Sequence, residues 1–211
     1  MKDLSTRPIN YAAIGATAHR DFTRFPPGGY RVETMTARIG HGRARYVAAV
    51  AGLRTWKVQR LSGIEVDVVH SADPAVYRPV GFEGNDPTRS AAFDVEPVFD
   101  PDGEEFLQPG TSANQRIKFM LGQVHAPVRV IAVEDEPDMH AVIFGALRGH
   151  PVAGEERMLI EIRADESVWF SFSAFSKPAK WWSRLGAPFM RRKQKQLHQR
   201  FLDALRQVPT S

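Results

Sequence analysis

The feature that most constrains the fold of this sequence is a pair of apolar segments joined by a polar turn. The second segment, residues 168–175, carries apolar side chains at every other position: Val168, Phe170, Phe172 and Ala174. A period of two is typical of a strand with one buried face. Residues 156–163 precede it across a turn at residues 164–167, and the two segments are predicted to pair as a β-hairpin.

A long amphipathic helix is predicted after this hairpin. It begins near Pro188, and proline is favoured in the first turn of a helix. Wrapped at about 100° per residue, one stripe is apolar and consists of Met190, Leu197, Phe201, Ala204, Leu205 and Val208. The other side is basic and includes Arg191, Arg192, Lys193, Lys195 and Arg200. The apolar stripe is expected to pack on a sheet.

The remaining patterns complete an α+β chain. Alternating or β-branched runs predict strands at residues 30–39, 64–68, 117–121, 128–133 and 140–147, and a helix is predicted at residues 43–54. We therefore predict a curved antiparallel sheet wrapped around the long C-terminal helix, with a cavity between them. This order resembles the START-like, helix-grip fold of Bet v 1-type binders of lipids and small molecules.

One region interrupts this pattern. Residues 70–110 are rich in proline and acidic residues and show no sustained period. We interpret them as an insertion in one domain that spans residues 1–211, with an edge strand at residues 93–98 as one element inside it.

Composition excludes several kinds of chemistry. The chain has no cysteine, so disulfides, thiolate metal sites and cysteine nucleophiles are excluded. The histidines are scattered, and no phosphate-binding glycine loop occurs, so no metal or cofactor is predicted. The formal net charge is only +4. No apolar run is long enough for a transmembrane segment, and the N-terminus lacks a signal sequence, so a cytoplasmic location is expected.

Several stretches resemble DUF1990 (UPF0548), a family of uncharacterised bacterial and plant proteins. They are residues 10–17, 27–30, 39–42, Trp56, 145–156 and 174–179, of which Gly145–Glu156, with the sequence GALRGHPVAGEE, is the most specific. The resemblance implies an intracellular α+β domain of START-like architecture. It implies no established reaction.

The same segment is the strongest candidate for chemistry. His150, Glu155 and Glu156 lie close together in it, and a histidine beside a carboxylate can act as a general base. The alternative is a purely structural connection, in which glycines supply positive φ angles and Glu155 accepts hydrogen bonds from backbone N–H groups.

Three functions follow from these patterns as hypotheses. The leading one is a binder of a small apolar or amphipathic ligand. Its apolar wall would be Tyr46, Phe144, Phe170 and Phe172, and its polar groups would be Arg129, His150 and Glu155. The second is a hydrolase or cyclase that uses His150 with Glu155 or Glu156. The third is an adaptor that contacts an anionic membrane or a nucleic acid through Arg191, Arg192, Lys193 and Lys195.

Overall fold

The computed structural model describes residues 4–69, 80–83, 86–89, 98–100, 102–119, 122–179 and 187–209. Side chains are described in these ranges except at 80–83, 86–89, 119 and 187–195.

Seven strands form one antiparallel, curved sheet in the order β1-β9-β8-β7-β6-β5-β2. They are β1 (Arg31–His41), β2 (Ile64–Val69), β5 (Ser112–Phe119), β6 (Gly122–Glu136), β7 (Met139–Ala146), β8 (Val152–Ile162) and β9 (Ser167–Pro178). Two short strands, β3 (Val80–Glu83) and β4 (Asp86–Arg89), pair with each other and with no other strand in the described part of the chain. The helices are α1 (Arg43–Leu53), α2 (Lys57–Leu61) and α3 (Ala187–Gln207).

The predicted fold class is confirmed: the chain is α+β, with a curved antiparallel sheet and a long C-terminal helix. The strands are longer than their apolar patterns predict. β6 spans 15 residues and β8 begins at Val152, because the backbone continues its hydrogen-bonded pairing where the side-chain alternation stops. β1 also continues through Gly40, where a break was predicted, because a register shift between Arg38 and Gly40 accommodates the irregularity.

The proline-rich region is described only in part. The β3-β4 hairpin lies in it, and the predicted edge strand at residues 93–98 falls outside the described residues except for Val98. The assignment of the whole chain to a single domain stays a prediction.

The sheet has an inner face, which we define as the face covered by the helices. Phe170 and Phe172 of β9 and Ile160 of β8 lie on it and pack with Leu205 of α3 and Leu53 of α1 in one apolar core. Arg45 of α1 holds the C-terminal end of α3, because its guanidinium group donates hydrogen bonds to the carbonyl groups of Leu205 and Val208. Such bonds satisfy carbonyls that have no partner within the helix.

The opposite, outer face is covered in part by the N-terminal segment, which we define as residues 4–30. Tyr11 and Phe22 pack there against Phe175 of β9 in a second apolar cluster, and the rings of Tyr11 and Phe175 meet edge to face at 5.4 Å between centroids. The chain before β1 is therefore a cover for the sheet, on the side away from α3.

Candidate functional site

A partly enclosed cavity of about 180 Å³ lies between α3 and the inner face of the sheet. Strands β5 to β9 form its floor, and α3 forms its roof. Its apolar lining includes Val124, Ala126, Val128, Phe144, Ala146, Phe172, Ala174, Leu197 and Phe201.

The cavity exists because small side chains occupy one end of the inner face. Ala146 of β7 pairs with Val128 of β6, and Ala174 of β9 pairs with Glu156 of β8. Further along the same strands, Ile160 pairs with Phe170, and both side chains are fully buried. Large residues thus fill one end of the inner face, while alanines leave space at the other end.

Glu156 is a half-buried carboxyl group in this lining. Strand alternation places it on the inner face between Phe144 of β7 and Ala174 of β9. Among the described residues, no hydrogen bond or ion pair engages its carboxylate. Burial raises the pKa of Glu156 to about 7 from its ordinary value of 4.5, because the charged form loses hydration.

His198 contributes an imidazole from the α3 side of the cavity. Its ring lies 4.1 Å from that of Phe172, measured between centroids. Burial lowers the pKa of His198 to about 4, so the ring is neutral at pH 7. The cavity lining therefore contains both a titratable carboxyl group and a neutral imidazole.

Glu155 directs its carboxylate to the outer face, away from Glu156. One oxygen accepts hydrogen bonds from the Tyr11 hydroxyl and the Gly15 amide, each at 2.7 Å. The other accepts from the amide and the hydroxyl of Thr17, at 2.9 and 2.6 Å. Glu155 is 3% exposed, so this carboxylate joins the N-terminal segment to the sheet. Its place in the sequence motif thus has a structural explanation.

Two glycines near Glu155 allow close approach of neighbouring segments. A Cβ at Gly154, whose φ is +153°, would lie 1.9 Å from the Phe175 carbonyl oxygen. A Cβ at Gly145 would lie 2.5 Å from the Tyr11 hydroxyl oxygen. These positions therefore require glycine for close approach of β9 and of Tyr11.

His150 borders the cavity at the turn between β7 and β8. Its Nδ1 atom contacts the backbone of Val152, 2.9 Å from the carbonyl oxygen and 3.1 Å from the amide nitrogen. The hydrolase hypothesis places Glu155 or Glu156 beside this imidazole. Glu155 instead uses both oxygens in bonds to the N-terminal segment.

The other predicted binding residues separate into three groups. Phe144 and Phe172 line the cavity. Tyr46 and Phe170 are packed in the core and are absent from the described lining. Arg129 lies on the outer face, where its guanidinium donates hydrogen bonds to Ser112 Oγ and to the carbonyls of Leu4 and Ser5. Arg129, like Glu155, therefore holds the N-terminal segment.

The adaptor hypothesis depends on Arg191, Arg192, Lys193 and Lys195. Their backbone belongs to α3, but their side chains fall outside the described residues, so this surface stays a prediction.

Besides His198, two polar residues of the lining had no signal in the sequence. Gln115 lies on β5, and its Nε2 atom is buried with no hydrogen-bond partner in the described part of the chain. Glu33 lies on β1, two strands from Glu156 across Ala174, and is paired with Arg31 at 3.2 Å. An isolated polar residue in a strand is commonly solvent-facing, and only the sheet order assigns these two to a cavity.

No three His, Asp or Glu side chains within the described ranges cluster closely enough to hold a metal ion. The helices in the same ranges also lack the length and apolarity that a membrane-spanning helix requires.

The fold and the site together define an α+β protein whose curved sheet and C-terminal helix enclose a small, mainly apolar cavity. The family model described as "Domain of unknown function (DUF1990)" matches residues 10–84 and 93–204. The chain belongs to this family, as its motifs predict.

Curated relatives agree with this assignment. A UPF0548 protein of Arabidopsis thaliana, At2g17695, is 33% identical over 102 residues, which cover 43% of this chain and 50% of the relative. A UPF0548 protein of Deinococcus radiodurans is 44% identical over 62 residues, which cover 29% of this chain and 31% of the relative. The chain thus aligns with half or less of the length of each relative.

A solved structure shares the fold at low sequence identity. The crystal structure of hypothetical protein jhp0584 from Helicobacter pylori superposes with a TM-score of 0.51 and 12% identity. The superposition covers 87% of this chain and 90% of the Helicobacter pylori chain. This likeness concerns the fold alone.

Proposed function

We propose that this protein binds a small apolar or amphipathic molecule in the cavity between α3 and the inner face of the sheet. The observation that carries this proposal is a lining of alanines and phenylalanines that leaves space in the interior of the fold. Protein interiors are normally close-packed, so unfilled apolar space is an energetic cost that a ligand would offset.

The size of the cavity limits the ligand. Pockets for drug-sized molecules are commonly about 300–1,000 Å³, whereas an engineered apolar cavity of about 150 Å³ in another protein accepts benzene. A cavity of about 180 Å³ therefore suits one ring with a short chain, or an alkyl chain of similar volume.

The resemblance to START-like proteins supports the same interpretation by analogy, because binders of that architecture hold ligands between sheet and C-terminal helix. Of the polar groups expected from the sequence, His150 borders the cavity, whereas the Glu155 carboxylate and Arg129 bond elsewhere. Glu156 and His198 are further polar groups of the lining that support the proposal.

The test is calorimetric titration with 2-phenylethanol, which carries one ring and one hydroxyl group. We expect a dissociation constant of about 1 mM or tighter for a ligand of this size. Ala146→Leu adds a side chain into the cavity and is expected to weaken binding by at least about tenfold.

Ala51→Leu is the matched control, because Ala51 is exposed on α1 and the same group added there leaves the cavity unchanged. If Ala146→Leu fails to fold, Ala126→Leu replaces it, since Ala126 also lines the cavity. Absence of binding to 2-phenylethanol, indole and 1-hexanol alike, or equal binding by the filled variant and the control, would overturn the proposal.

A further inference from the structure

The charges around the cavity are distributed unevenly. Glu156 and Glu33 lie toward the β8 and β1 side, two strands apart with only the small Ala174 between them. Glu33 is paired with Arg31, whereas none of the described side chains neutralises Glu156. The β8 side of the cavity therefore presents a carboxylate that can accept hydrogen bonds and a positive charge.

The described cations of the lining lie elsewhere. Lys118 of β5 is paired with Glu65 at 3.4 Å on the neighbouring strand β2. The guanidinium of Arg200 lies beside Gly63, 3.7 Å from the position a Cβ would take there, just before β2. Both belong to the β2 side of the sheet, three or more strands from β8.

The cross-strand neighbours of Glu156 are apolar. Phe144 is its direct neighbour on β7, and Ala174 is its neighbour on β9. Leu197, Phe201 and the neutral ring of His198 line the same cavity from α3, and His150 borders it at the turn between β7 and β8. An aromatic face beside a carboxylate is an environment that stabilises an ammonium group through cation–π attraction and ion pairing.

We propose that the cavity is selective for a small primary amine, whose ammonium group pairs with the Glu156 carboxylate while its apolar body lies against Phe144 and Phe172. This inference rests on the proposed function and names its ligand class. In the free protein no described residue engages the carboxyl group, and its pKa of about 7 reflects the lost hydration. An ammonium group would replace that hydration with hydrogen bonds, so binding would favour the ionised carboxylate and release a proton near pH 6.5.

The experiment compares three ligands that share one ring and differ at the polar end: phenethylamine, 2-phenylethanol and phenylacetate. At pH 8 we expect phenethylamine to bind at least about tenfold more tightly than the alcohol, the range for a hydrogen bond to a charged group. Phenylacetate is expected to bind more weakly than both. At pH 6.5, titrations in two buffers with different ionisation heats should show proton release with phenethylamine but not with the alcohol.

Glu156→Gln keeps the shape of the side chain and removes its charge, so it should bring the amine and the alcohol within about threefold of each other. The matched control is Glu161→Gln, on the same strand but on the outer face, where Glu161 pairs with Arg163. The control should keep the full preference for the amine.

The outcomes separate the two proposals. If 2-phenylethanol binds and is sensitive to Ala146→Leu but phenethylamine binds no more tightly, or if Glu156→Gln keeps the preference, amine selectivity is wrong and the small-molecule cavity stands. If phenylacetate binds best, the ligand class is anionic and the inference is likewise wrong. If neither these ligands nor the neutral panel binds, both proposals fail.

Discussion

Glu155 and Glu156 are consecutive residues of one strand with opposite surroundings. Glu155 faces the N-terminal segment on the outer face and accepts four hydrogen bonds. Glu156 faces the cavity under α3 and has none from the described residues. Four donors satisfy the oxygens of the buried Glu155 carboxylate, whereas burial without a donor from the described residues destabilises the charged form of Glu156. The same type of side chain thus has a structural role on the outer face of the sheet and belongs to a candidate site on the inner face.

The largest expected effect comes from Gly154, the residue that lets β8 approach β9 just before the two glutamates. Gly154→Ala places a Cβ against the Phe175 carbonyl oxygen at a φ of +153°. We expect it to lower the free energy of unfolding by at least about 3 kcal/mol, measured by urea denaturation.

Gly28→Ala is the control for this substitution. Its Cβ would meet nothing within 4 Å, and Gly28 has no positive φ, so we expect a change within about 0.5 kcal/mol. Equal stability of the two variants would contradict the close approach at Gly154.

The next effect compares the two glutamates directly. Each oxygen of Glu155 accepts one backbone N–H, from Gly15 or from Thr17. In Glu155→Gln, the side-chain amide nitrogen therefore meets a backbone N–H donor in either orientation of the amide. We expect the free energy of unfolding to fall by about 2–3 kcal/mol.

Glu156→Gln should have the opposite sign at pH 8. It replaces a charge that no described residue neutralises with a neutral group, so the free energy of unfolding should stay equal or increase. Urea denaturation of both variants at one pH gives the comparison. A greater loss in Glu156→Gln than in Glu155→Gln would mean that the surroundings of the two carboxylates have been assigned the wrong way round.

The smallest effect is the pH dependence of stability that Glu156 contributes. Its pKa is about 7 in the folded chain and 4.5 ordinarily, so the unfolded chain loses this proton first. Stability is therefore expected to fall as pH rises from 4.5 to 7, by about 2 kcal/mol relative to Glu156→Gln once partial exposure is allowed for.

His198 should produce the opposite slope in an overlapping window. Its pKa is about 4 in the folded chain and 6.5 ordinarily, so the unfolded chain gains this proton first as pH falls. Stability is lost from pH 6.5 to 4, and His198→Gln removes that loss. The two slopes offset each other in the wild type, so the difference between wild type and Glu156→Gln is the quantity to measure. A difference that does not vary with pH would contradict the burial of Glu156.

Local patterns in the sequence were sufficient to predict much of the architecture. The alternation of Phe170 and Phe172 with serines predicts β9, and the stripe that contains Phe201 and Leu205 predicts the buried face of α3. The family motifs were equally clear, and the family model that matches residues 10–84 and 93–204 confirms them. These features depend on side-chain spacing along one element, which the chain carries in its own order.

The candidate site was predictable only in part. Phe144, Phe172, His150 and Glu156 lie in the lining of the described cavity, and their role in binding stays a prediction. The sequence pattern predicts a strand that starts at Glu156, so Glu155 falls in the preceding turn and no strand alternation separates the two residues. β8 begins at Val152, and the alternation of a strand then separates them.

The alternation of the strands, the amphipathic pattern of α3 and the family motifs can be read along the chain. The face that each polar residue occupies, and the segment that covers it, depend on how the elements pack. Arg129 and Glu155 are surrounded by the N-terminal segment, and Gln115 lines the cavity that α3 covers. Each of these segments lies more than ten residues away along the chain. A carboxylate becomes a structural anchor or a candidate ligand group according to those distant contacts, which no local spacing encodes.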